Sequence, residues 1–191
     1  MAVPDGGAGP DRIEAAVEEL LASLGVDPSL DDVRETPRRV AAMYRELLTP
    51  EPFAFTTFEN SAGYDELVVV RDIPFVSLCA HHLLPFTGIA HVAYLPADRI
   101  VGLSKLARAV TYLARGLQVQ ERLTKQVADL IRSELQPKGV GVVIEAEHEC
   151  MTIRGVQATG TVTVTSTMYG LLRSNLATRA EFLALTGVSG A

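Results

Sequence analysis

The order of textures along the chain constrains its fold most: strand, strand, helix, helix, strand, strand. LVVVRDIPF at 67–75 is β-rich and is expected to end at Pro74. TGIAHVAYLP at 87–96 alternates, with Ile89, His91 and Ala93 on one face and Ala90, Val92 and Tyr94 on the other. LSKLARAVTYLAR and QVQERLTKQVADLIRSELQ then read as helices separated by Gly116, and Pro137 and Gly139 close the second. Strand texture returns in GVGVVIEAEHECMTI and TVTVTSTMYG. Hairpins flanking a pair of helices predict an α+β domain, an antiparallel sheet covered on one face.

Two helices are expected ahead of this pattern. Asp11 is placed to cap DRIEAAVEELLASLG, whose apolar face is Ile13, Val17, Leu20, Leu21 and Leu24. Thr36-Pro37 reads as an N-cap followed by Pro at the first helical position. The expected organisation is a flexible tail over 1–10, a helical region over 11–65 and a catalytic domain over 66–191. With 17 Lys and Arg against 23 Asp and Glu, the net charge of -6 argues against a general nucleic-acid or anionic-membrane surface. No secretory signal or membrane-length apolar run is visible, so a cytoplasmic protein is expected.

The chemistry-bearing residues are few. The only two cysteines each lie within three residues of a histidine, in Cys79-Ala80-His81-His82 and His148-Glu149-Cys150. A Cys-x-x-His spacing lets a thiolate and an imidazole reach one metal from a single turn. Strand alternation is expected to put His148 and Cys150 on one face. Two descriptions fit these clusters: buried thiols beside satisfied imidazoles, or half-sites of one metal centre. If they meet, zinc suits the mixed donors, and two cysteines with one histidine leave a fourth position open, as in catalytic sites. The zinc deaminases use a His-x-Glu and Pro-Cys-x-x-Cys pattern that is absent here. Between the clusters, Gly102 to Arg108 opens a helix with Lys105 and Arg108 three apart, either an anion grip or a solvated face.

Taken together, the segments ETPRRVAAMY (35–44), CAHH (79–82), GLSKLAR (102–108), QVQERLT (118–124), HECMTIRG (148–155) and TSTM (165–168) resemble the GTP cyclohydrolase I family. The resemblance runs from Glu35 to Gly187. It implies a tunnelling fold with a four-stranded antiparallel sheet carrying two antiparallel helices, assembled as a homodecamer with active sites at subunit boundaries. It implies a zinc-dependent hydrolase that opens the guanine ring of GTP with water, releases formate and forms 7,8-dihydroneopterin triphosphate.

Carried over by position, Cys79, His82 and Cys150 would hold Zn2+, with His81, His148 and Ser104 in proton transfer. Glu121, with Gln120 beside it, would recognise guanine. Lys105, Arg108 and Arg154, with Arg39 as a further contact, would hold the triphosphate. Ala80 stands where the family usually has Glu, and Gly116 where a larger residue is common. A catalytically weakened or non-enzymatic nucleotide-binding paralogue is the alternative reading.

Overall fold

A computed structural model describes residues 11–188, so the tail expected over 1–10 lies outside the described residues. The chain divides into two compact units, Met1–Thr49 and Pro50–Ala191.

The first unit is a pair of helices, α1 (Arg12–Ser23) and α2 (Thr36–Leu48). Asp11 caps α1 as expected, its carboxylate accepting from Ile13 N–H at 3.0 Å. The same carboxylate pairs with Arg45 of α2 and is held below the usual carboxylate range, chiefly by that hydrogen bond. The cap of α2 is not Thr36. Glu35 already has helical dihedrals and occupies the cap position, with Pro37 in the first turn, where a missing N–H costs no helical bond. The Glu35 carboxylate pairs with Arg38 at 2.9 Å.

The second unit opens with β1 (Thr57–Glu59), β2 (Val68–Cys79), β3 (Pro85–Leu95) and β4 (Arg99–Val101). Helix α3 (Leu103–Ala114), β5 (Leu117–Gln118) and helix α4 (Gln120–Leu135) follow. The chain ends through β6 (Gly139–His148), α5 (Glu149–Thr152), β7 (Thr163–Gly170), α6 (Leu171–Ser174) and α7 (Leu176–Thr186). The main sheet has the order β5-β2-β3-β6-β7, and β1 pairs with β4 separately. Antiparallel pairing joins β2 to β3, β3 to β6 and β6 to β7. The two-residue β5 runs parallel to β2, making the sheet mixed and five-stranded rather than the four antiparallel strands expected.

Pro74 does not end its strand. It pairs opposite Ile89, and β2 continues to Cys79. Only Leu78 and Cys79 meet β5, so β2 is an edge strand at Pro74, a setting that tolerates the missing donor. A bulge between Val70 and Ile73 puts Asp72 at φ 59°, and its N–H donates to Nδ1 of the buried His91 at 3.3 Å. Nε2 of His91 meets Glu145 at 3.3 Å, so both ring nitrogens are engaged.

One sheet face carries Ala90, Val92 and Tyr94 of β3 with Val140, Val142 and Ile144 of β6. Leu106 and Val110 of α3 and Leu123, Val127, Ile131 and Leu135 of α4 pack on them at helical spacing. The other face was expected to be bare. Leu172 of α6 and Phe182 of α7 cover part of it, packing with Ala93, Val143 and Met168. A Cβ at Gly141 would lie 2.5 Å from Leu172 Cδ2 and 2.8 Å from Phe182 Cε1, so only glycine lets α6 and α7 approach here. Among the described residues, no helix is long and apolar enough to cross a membrane.

Leu106 is fully buried between α3 and the sheet. Leu106→Ala is expected to cost about 2–5 kcal/mol of stability, measured by urea denaturation of metal-loaded protein. A loss below about 1 kcal/mol would mean the α3–sheet interface is not a packed core.

Candidate metal centre and its surroundings

The site is built where the sheet ends. Cys79 is the last residue of β2, and the chain turns back on it immediately: Leu83 N–H donates to Cys79 C=O at 2.9 Å and Cys79 N–H to Leu84 C=O at 2.8 Å. Leu83 adopts φ 57° to close this turn. The turn folds both adjacent imidazoles toward the sulfur, with Nδ1 of His81 at 3.8 Å and Nδ1 of His82 at 3.9 Å from Cys79 Sγ. Ala80 N–H donates to Gln118 C=O at 2.9 Å, anchoring the turn to β5.

The second half arrives by a different route from strand alternation. β6 stops at His148, and Cys150 is carried on α5. Because α5 starts at Glu149, the period of two does not relate His148 to Cys150. Cys150 Sγ nonetheless lies 4.0 Å from Cys79 Sγ. Ligand atoms of Cys79, His82 and Cys150 lie within 4.8 Å of one another. Both thiols are free, with Cys79 buried and Cys150 half-buried. Burial pushes the Cys150 thiol above its usual pKa, and the adjacent Cys79 sulfur adds to the rise. A cation placed here must displace that proton, so binding weakens as pH falls.

The donor chemistry fits zinc. Tetrahedral zinc with Zn–S bonds of about 2.3 Å puts two sulfurs about 3.8 Å apart, close to the observed separation. Nε2 of His82 lies 3.1 Å from Arg154 Nη1, a guanidinium that can only donate. A metal taken at Nδ1 leaves the imidazole proton on Nε2, so this contact and ligation exclude each other.

His148 stands apart from the three ligands in its contacts. Its ring stacks on Phe86 of β3 at 4.7 Å and 3°, and its Nε2 lies 2.7 Å from Gln120 Oε1. Burial lowers its pKa below 6.5, with the Glu121 carboxylate pulling the other way. Gln120 was expected beside the substrate. It is buried at the first residue of α4, and its amide nitrogen reaches Ile144 C=O at 3.1 Å, Thr163 C=O at 2.9 Å and Thr165 Oγ1 at 3.1 Å. Glu121, the next residue, is exposed.

The remaining assigned residues are more scattered. Ser104 and Arg108 are exposed and Lys105 half-buried on the first turns of α3. Arg108 lines a cavity of about 270 Å³ with Phe53, Tyr112 and Arg115, whose lining includes none of Cys79, His82 and Cys150. Arg39 is exposed on α2 of the first unit. Phe86, Thr124 and Thr165 support the site without having been singled out individually; Thr124 Oγ1 meets Thr165 Oγ1 at 2.6 Å and donates to Gln120 C=O at 2.8 Å. The sequence signals for this network were the QVQERLT segment, which contains Gln120 and Thr124, and the TSTM segment, which contains Thr165.

Residues 13–187 match the model of a protein family described as GTP cyclohydrolase I. A GTP cyclohydrolase 1 of Aquifex aeolicus is 51% identical over 175 residues, spanning 92% of this chain and 95% of that protein. Proteins of the same name from Rhodopirellula baltica, 51% identical over 91% of this chain and 77% of that protein, and Mycobacterium bovis, 51% identical over 91% and 89%, are similar to the same extent.

Proposed function

The chain belongs to the GTP cyclohydrolase I family, and from that premise we propose that it opens the guanine ring of GTP, releases C8 as formate and forms 7,8-dihydroneopterin triphosphate. The observation that carries this reading is the meeting of Cys79, His82 and Cys150, two segments about seventy residues apart whose donor atoms lie within 4.8 Å. Zinc held by these residues would supply Lewis acidity and make water a nucleophile near neutral pH.

The chain's own groups do the rest. The exposed Glu121 carboxylate accepts the paired N–H groups of the guanine edge, a geometry a carboxylate matches with two parallel bonds. His148 donates a proton to a ring nitrogen of the imidazole portion. Its lowered pKa makes its conjugate acid a stronger donor, at the expense of population at neutral pH. His81, whose Nδ1 sits beside the metal-binding sulfur, and Ser104 move protons in the later C–N cleavage and ring closure. Ligation of a metal by His82 would release Arg154 and free its guanidinium for the triphosphate with Lys105 and Arg108, Arg39 of the first unit keeping its assignment as a further contact.

The same reading includes the tunnelling fold and a homodecamer with sites at subunit boundaries. Among the described residues β7 is an edge strand that pairs with β6 alone, and such an edge supports assembly with further copies. A cytoplasmic location, in keeping with two free thiols, belongs to it too. All the proposed residues except Arg39 fall within 66–191, the proposed catalytic domain.

Incubating zinc-loaded protein with GTP and assaying formate and, after oxidation, a fluorescent pterin tests the reading; absence of both at every pH would sink it. Glu121→Gln replaces one acceptor oxygen by a donor. It is expected to cost about 1.5–3 kcal/mol of transition-state binding, a roughly 10- to 150-fold fall in kcat/KM for GTP. Unchanged kcat/KM would remove Glu121 from guanine recognition.

A further inference from the structure

The hydrogen bonds around Gln120 decide which nitrogen of His148 carries its proton. The Gln120 amide is buried, so its two ends must each match their partners. One end faces two backbone carbonyls, Ile144 C=O at 3.1 Å and Thr163 C=O at 2.9 Å. A carbonyl can only accept, so that end is the NH2 group, and the reversed amide would set oxygen against oxygen at both. Thr165 Oγ1, at 3.1 Å, completes a consistent chain. Its hydroxyl donates to Thr124 Oγ1, whose own hydroxyl donates back to Gln120 C=O. The other end, Oε1, therefore faces His148 Nε2 at 2.7 Å. An amide oxygen has no hydrogen to give, so Nε2 must bear one.

We infer that Gln120 is a positioning residue that holds the neutral His148 ring as its Nε2–H tautomer, leaving Nδ1 as the nitrogen that exchanges protons with the substrate. The parallel Phe86 ring, 4.7 Å away, fixes the plane in which Nδ1 points. Among the described residues, no hydrogen bond engages His148 Nδ1. Gln120 thus acts through His148 and does not touch GTP, unlike the exposed Glu121 beside it. The mechanistic half of this inference rests on the assignment of His148 to proton transfer; the tautomer itself does not.

The test reads the proton directly. Magic-angle-spinning ¹⁵N NMR of zinc-loaded protein labelled at its four histidines distinguishes the two ring nitrogens, and His148→Asn assigns the signal by its disappearance. The expected wild-type result is a protonated Nε2 and a bare Nδ1 at His148; the opposite tautomer overturns the inference without any variant. Gln120→Met removes the acceptor at similar length, and the tautomer preference should then be lost. Turnover of GTP by that variant should show kcat lower by about 10²-fold, within the range of general acid–base catalysis. Its KM should stay within about twofold, because no ground-state contact is removed. A raised KM with unchanged kcat would make Gln120 a substrate contact, and Nε2–H retained at full kcat would overturn the positioning role. If wild-type protein turns over no GTP, the function reading fails while the NMR result still decides the tautomer.

Discussion

Cys150→Ser is expected to leave the purified protein without zinc and to lower GTP turnover by about 10³-fold or more. Serine keeps the size of the side chain, and Cys150 sits half-exposed on the one-turn α5, so the fold should survive. Of the Cys79–His82–Cys150 group, two donors would remain. A neutral hydroxyl is a poor replacement for a thiolate, which prefers zinc through its charge and softness. The rate loss follows from the several kcal/mol that metal-ion catalysis supplies, each 1.36 kcal/mol being worth tenfold. Metal analysis and the formate assay on the same preparation check both halves. Stoichiometric zinc in the variant would contradict the ligand assignment, however low the activity.

His148→Asn should behave oppositely toward the metal. Zinc is expected to stay, because the contacts of His148 are with Phe86 and Gln120 rather than with the two sulfurs. The rate of formate release should fall by about 10²–10⁴-fold, the usual contribution of a positioned acid or base. Binding of GTP should change little. Loss of zinc from this variant would place His148 among the ligands, and an unaltered rate would remove it from proton transfer.

The two variants bear on how far the site could be read without coordinates. The β-β-α-α-β-β order and the two half-sites were legible because they depend on local signals: period-2 and period-3.6 patterning, and residue types with few other uses. The alternation of TGIAHVAYLP placed Ala90, Val92 and Tyr94 together, and those residues do share the helix-covered face. Strand alternation was the reason to expect His148 and Cys150 on one face, yet it is α5 that carries Cys150. A four-residue helix has no periodicity to detect, and the strand pattern runs into it without a break.

Pro74 and β5 were missed for a related reason. Whether a proline ends a strand depends on whether its neighbour needs the absent N–H, which is a property of sheet order. Two paired residues, Leu117 and Gln118, leave no texture at all. The role of Gln120 was the least legible. Its neighbour Glu121 points to solvent, while Gln120 meets carbonyls from β6 and β7 that lie 24 and 43 positions further along the chain. No spacing rule connects those residues; only the packing of α4 on the sheet does.

Ala80 lies inside the turn that carries Cys79 and His82. Its backbone N–H is used, donating to Gln118 C=O and tying the turn to β5, and that bond does not depend on the side chain. The turn that presents His82 to Cys79 therefore forms with alanine at position 80.

The most direct test of the account is a zinc titration of metal-stripped protein, with bound zinc and formate release from GTP followed together. The account predicts that both rise in parallel and saturate at a single zinc per chain, as the one Cys/His group of this kind among the described residues, Cys79–His82–Cys150, requires. Full-rate formate release from zinc-free protein, or saturated zinc with no formate at any pH, would contradict it.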